Sequence, residues 1–279
     1  MTGIACFGLD ALGGGTACLL HSPARSATLA LMATTPPPSP PSPDHIDREP
    51  VAPAWHTVVF ILLVIGVAFL DVRRLGTGRA PLQINRIRLY ATSVVFELVM
   101  VGYVWLFGLR RSRKRLGDII GGKWTRWTDA IRDFGIAILF WLIVGFVLAA
   151  LRAVLGVKPE DLRAMKFLFP QSGAEMVAWA FVSVTAGFCE EILFRGYLQR
   201  QFLALTGRTE LAIAIQAVIF GMAHSYQGWK GAVSVTVYGA MFGILAVMRK
   251  SLRPGMMQHA MQDSFSGIVG SLLAKKGYI

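Results

Sequence analysis

Residues 188–199 read FCEEILFRGYLQ, two adjacent glutamates and an arginine inside one of the most apolar parts of the chain. An ionisable group at the centre of a membrane-spanning helix costs about 2.5–3.5 kcal/mol even on the gentlest scale, so each of these charges needs a partner or a task. On a helix advancing about 100° per residue, Glu191 and Arg195 lie about 40° apart on one face. The acid precedes the base at i,i+4, the favourable order for an ion pair. Glu190 falls on a different azimuth and has no sequence-local partner. A carboxylate so placed, in a partly desolvated cavity, suits a general base.

The surrounding composition fixes the solvent. The chain has 279 residues, 54% hydrophobic and only 16% charged, with a mean hydropathy of +0.54. An ordinary soluble domain carries about 25% charged residues. Apolar runs recur at Trp55–Leu70, Leu89–Leu109, Phe134–Leu151, Glu175–Leu193, Glu210–His224, Ala232–Met248 and Met256–Leu273. Since a bilayer core takes about 20 residues of helix, these predict an all-α polytopic transmembrane bundle of about seven (six to eight) helices. Strands crossing singly would leave backbone groups unpaired, and the alternation of a membrane barrel is missing. The expected setting is a multi-pass protein of a bacterial inner membrane.

Three regions follow. Residues 1–54, with TTPPPSPPSPDHIDREPVAP at 34–53, predict a disordered Pro/Ser-rich tail. The first 31 residues lack the basic flank of a signal peptide, and Met32 is a second candidate start. Residues 55–129 hold the first spans and a basic connection, and 130–279 the core. The net charge of +12 is concentrated between the spans, in RRSRKR (110–115) and KWTRWTDAIRD (123–133). Basic residues beside tryptophans between spans point to anionic lipid headgroups rather than nucleic acid. This puts 110–132, 195–208 and 249–253 on the cytoplasmic side, although Arg73, Arg74, Arg79, Arg86 and Arg88 then fall outside. The three cysteines, Cys6, Cys18 and Cys189, suggest neither a disulfide framework nor a zinc ribbon. Cys189 reads as a small apolar residue.

Two further segments supply polar groups. LTGRTE (205–210) marks a turn, with Gly207 ending one helix and Thr209 capping the next. Glu190 precedes Gly207 by as many residues as His224, in IFGMAHS, follows it. Both therefore sit about 25 Å from the turn, at one depth, where they can meet across a helical hairpin. That requires an unbroken helix of about 46 Å from 176 to 206, longer than one hydrocarbon thickness. In PGMMQHAMQDSFSG (254–267), His259 and Asp263 are again i,i+4 and share a face. Gln262, Ser264 and Ser266 make this run the least lipid-like, the lining of a wet cavity. Glu97, alone in the second apolar run, reads as structural. A depth conflict remains, because His259 follows Pro254 by only about 8 Å of helix. Convergence needs short, bent or offset helices, or a 249–255 link that dips into the protein.

The three motifs together resemble one family. EEILFR fits EExxxR, FGMAH (Phe220 to His224) fits FxxxH, and HAMQD (His259 to Asp263) fits HxxxN with Asp in the last place. Order and spacing are similar to those of the CPBP family of intramembrane proteases, over roughly residues 130–275. That family comprises type II CAAX prenyl endopeptidases and bacteriocin-processing and immunity (Abi) proteins. The resemblance implies that Glu190, aided by His224, activates a water, that His259 and residue 263 stabilise the oxyanion, and that Glu191 and Arg195 organise the site. Asp263 departs from the pattern, because an ionised carboxylate cannot donate a hydrogen bond as Asn can. It is either protonated or orients His259.

Glu190, His224, His259 and Asp263 also make a nitrogen and oxygen set for zinc or another divalent ion, although HExxH is absent. A metal-dependent and a metal-free glutamate mechanism both stay open. The expected partners are the lipid bilayer and a membrane-associated protein or peptide substrate. Prenylated CaaX proteins serve the eukaryotic branch, whereas this sequence ends in KKGYI, without a CaaX cysteine. Two non-proteolytic readings compete: an immunity or scaffold protein keeping the motifs for packing, and a proton-coupled transporter. No inverted hydropathy repeat stands out for the latter.

Overall fold

The structure, a computed structural model, describes residues 49–76, 85–163 and 165–278. The expectations for the N-terminal tail, Met32, Cys6 and Cys18 lie outside the described residues. All seven apolar runs form helices. These are α1 (Ala54–Gly76), α2 (Arg86–Tyr103, prolonged by a π-turn at Val104–Leu109), a short amphipathic α3 (Leu116–Ile120) and α4 (Trp127–Val154). They continue as α5 (Gly173–Thr206), α6 (Thr209–Ala223), α7 (Gly228–Arg249) and α8 (Arg253–Lys275). Five helical segments are long and apolar enough to cross a bilayer: Ala54–Arg73, Arg86–Leu109, Trp127–Val154, Gly173–Thr206 and Ser225–Arg249. The other two expected spans differ: α6 has only 15 residues, and α8 falls outside those five because its motif and neighbouring residues are polar.

The helix required through 176–206 runs without interruption, but its stretch Glu191–Gln199 is π-helical. Every residue of that stretch is buried. Single π segments inside α-helices mark functional sites often enough to direct attention here. Gly207 closes α5 in the left-handed conformation (φ 66°), and its N–H bonds Leu203 O at 2.8 Å. Thr209 is the first helical residue of α6, so Arg208, in extended conformation, takes the capping position expected for Thr209.

Small residues let the helices meet. A Cβ on Gly187 would stand 2.8 Å from the backbone of both Met256 and Ala260, which brings α8 directly against α5. Gly267 is covered by Trp179, and Gly221 by Thr236. Such close contact is how helices gain packing in lipid, where burial of apolar surface supplies no drive.

The depth conflict resolves through the Arg249–Arg253 link. Leu252 N–H bonds Ile120 O at 2.9 Å, and Leu252 is buried between α3 and the bundle. A Cβ on Gly196 would lie 3.1 Å from the Leu252 side chain, so the link sits at the level of Gly196. Gly196 is already about 16 Å inside the Gly207 turn. From that common level Glu190 and His259 are each about 9–10 Å further along their antiparallel helices. The link dips into the protein and α3 covers it.

Candidate active site

Glu191 and Arg195 form the ion pair the sequence spacing predicts: Arg195 Nη1 donates to Glu191 Oε1 at 2.9 Å, with side-chain exposures of 0% and 1%. Both terminal nitrogens of the guanidinium and both its faces are engaged, while Nε is buried without a hydrogen-bond partner. Nη2 donates to Gly239 O at 3.2 Å, and its plane lies between Phe220 (4.4 Å) and Phe242 (4.9 Å). Desolvated cation–π contacts of this kind contribute about 2 kcal/mol. Gly255 admits the carboxylate, since a Cβ there would be 3.2 Å from Glu191 Oε2.

His259 completes this unit. Its Nδ1 lies 3.2 Å from Glu191 Oε1. The Arg195-paired carboxylate only accepts, so Nδ1 carries the hydrogen. The other nitrogen, Nε2, faces Glu190 Oε2 at 3.6 Å and Asp263 Oδ2 at 3.7 Å. Both separations exceed a hydrogen bond, so neither carboxylate caps Nε2. Glu190 Oε2 is buried and without a hydrogen-bond partner among the described residues, the behaviour expected of the glutamate outside the ion pair. Phe220, Tyr238 and Phe242 surround the His259 ring.

His224 caps the C-terminal end of α6, and its Nδ1 bonds Phe220 O at 2.9 Å. A carbonyl only accepts, so in the neutral ring Nε2 keeps its lone pair. His224 and His259 pack on the same Phe220 ring, at 4.7 and 6.2 Å. The expected Glu190–His224 encounter is not a direct hydrogen bond or ion pair; His224 is turned onto its own helix beside the group.

Asp263 is anchored through its carbonyl, which accepts from Trp179 Nε1 at 2.8 Å, while its carboxylate stays 34% exposed. Gln262 accepts from Trp141 Nε1 at 2.8 Å and donates to Ser266 at 3.1 Å, a polar ladder on the same helix. The structure also brings in Glu97 from α2, within range of charge interaction with Glu190, His259 and Asp263. Its Oε2 too is buried without a partner. The sequence reading gave Glu97 no part in the site. The signal was its being the lone acid of an apolar run. Tyr238 and Phe242, spaced i,i+4 on α7, were likewise unremarked.

The divalent-ion set fares differently. Among the described residues no group of three or more His, Cys, Asp or Glu side chains stands in an arrangement that holds a metal ion. His259 Nδ1 is committed to Glu191, and His224 Nδ1 to its own helix. These Nδ1 contacts leave Nε2 of both rings as donor positions, so the donor chemistry suits a divalent ion while the side chains as arranged do not converge on one point.

Residues 172–265 match the model of a family described as type II CAAX prenyl endopeptidase Rce1-like. The matched segment holds all three motifs and bears out the resemblance read from them, over a shorter stretch than 130–275. No curated protein and no solved structure gives a match. Together with the five apolar helices, the match makes this an integral, multi-pass membrane protein.

Proposed function

We propose that this chain, whose residues 172–265 carry the Rce1-like match, is an endopeptidase that cuts a membrane-associated protein or peptide with a water activated by Glu190. The match supports an intramembrane endopeptidase of the CAAX type in general. The observation carrying the finer assignment is the contrast between two neighbouring carboxylates. Glu191 is locked by Arg195 and His259, whereas Glu190 Oε2 is buried, unpartnered and 3.6 Å from His259 Nε2.

In this reading Glu190, assisted by His224 Nε2, takes a proton from water, and the water oxygen attacks the peptide carbonyl carbon. His259, protonated, donates from Nε2 to the developing oxyanion, and Asp263 balances the imidazolium charge. The C–N bond then breaks, and the proton held by Glu190 passes to the leaving amine. Glu191 and Arg195 do not touch substrate; they fix the His259 ring. No step needs a metal.

Glu190→Ala and His224→Ala should each abolish proteolysis while membrane expression stays at the wild-type level. Full activity in either variant contradicts the mechanism. The buried Glu191–Arg195–His259 unit also fits a scaffold protein, which predicts that the same two variants lose nothing.

A further inference from the structure

A second charged region lies where α4 begins, α7 ends and α8 begins. A cavity of about 160 Å³ opens there, with Lys123, Arg132, Arg249, Lys250 and Arg253 on its walls. Asp129 and Asp133 are the acids beside them, leaving the lining three positive charges in surplus. Both acids are engaged. Asp129 Oδ2 accepts from the N–H groups of Thr125 and Arg126 and from the Thr125 hydroxyl. Asp133 accepts from Trp124 Nε1 at 2.9 Å and pairs with Arg249 at 3.5 Å. Arg253 is oriented by Gly121 O (2.7 Å) and lies over the Trp124 ring at 5.3 Å.

What remains are donors without acceptors. Arg249 Nε is buried and unpartnered, and neither Lys123 nor Lys250 forms an ion pair among the described residues. The surroundings say where the missing acceptor comes from. Trp124 is 43% exposed and Trp127 75% exposed at the same end of the bundle, as tryptophans are at a membrane–water boundary. The link lining the cavity is the one tied to Ile120, so the site sits beside the basic connection that follows α2.

We propose that this cavity binds a phosphate ester, presented by an anionic phospholipid headgroup whose chains lie against the flanking tryptophans. Lysine and arginine side chains around a cavity of this size supply charge-assisted hydrogen bonds to phosphate oxygens. Occupancy would also pin the Arg249–Arg253 link, which sets the height of His259.

The test is thermal unfolding of the full chain in neutral detergent with added dihexanoyl phosphatidylglycerol, dihexanoyl phosphatidylcholine or inorganic phosphate. The anionic lipid should raise the midpoint saturably, with the zwitterionic lipid and inorganic phosphate without effect at equal concentration. Lys123 is exposed, so Lys123→Gln keeps the unliganded midpoint and should weaken the lipid response about fivefold. Lys123→Gln with Lys250→Asn should abolish the response. Arg110→Gln with Arg111→Gln, exposed and outside the cavity, should leave it intact. An equal shift from inorganic phosphate overturns the lipid assignment. Absence of a shift, or a shift unchanged in the lysine variants, overturns the site.

Discussion

The buried centre around Glu191 and the cavity beside Trp124 are both built from acids and bases, and they treat charge in opposite ways. In the centre Arg195 and Glu191 are almost inaccessible, and each is met by further partners. At the bundle end five cations outnumber two acids around an open cavity. A charge far from water must be compensated by the fold itself, whereas one near the headgroups can be left for a ligand. Within the centre Glu190 Oε2 departs from that rule, as do Glu97 Oε2 and Arg195 Nε, and of these Glu190 is the one we propose as the base.

Breaking the centre should cost most. Arg195→Ala leaves Glu191 buried without its cation, a loss of about 3–5 kcal/mol. The folded yield after detergent extraction should collapse, and normal yield contradicts the packing role. Glu190→Gln keeps the shape and should lower turnover by about 10²–10⁴-fold with unchanged yield, read from product formation at matched protein. Gly187→Ala forces α8 off α5, costing about 1–3 kcal/mol. An induced misplacement of about 1 Å between His259 and Glu190 can lower turnover about 10²-fold, measurable in the surviving folded fraction.

Smaller effects sharpen the comparison. Asp263→Asn should keep activity within about tenfold, because the amide can donate where the carboxylate balanced charge; complete loss would favour a role in ligating a cation. The outermost pair should matter least. Asp161, outside the spans, is held below its ordinary value of 3.8 by the Lys158 N–H and then by the Lys230 ammonium. A lowered pKa contributes stability above the unfolded value that is lost as pH falls through the folded one. The difference in melting midpoint between wild type and Asp161→Asn should be small at neutral pH and vanish in acid.

Much of this was legible because local spacing carries it. The Glu191–Arg195 pair, the seven helices and the Gly207 turn follow from periodicities within one or two turns of chain. The sunken link does not, because it depends on α3 packing at Gly196 and on the Leu252–Ile120 bond, contacts between residues far apart in sequence, and no local periodicity announces the π-helical stretch. Glu97 was missed for a similar reason. Nothing near it in the chain distinguishes a structural acid from one facing the site; only the packing of α2 against α5 does. The hairpin arithmetic used depth alone, which leaves lateral distance and side-chain direction undetermined. His224 accordingly stands beside the group without bonding Glu190.

The central claim is that Glu190 performs hydrolysis while its neighbour Glu191 holds the site together. The most direct measurement compares peptide termini in membranes of cells carrying wild type or Glu190→Gln at matched protein levels. The account predicts that a defined set of new termini, present with wild type, disappears in the variant. Identical profiles under several growth conditions would contradict it and leave a membrane scaffold in its place.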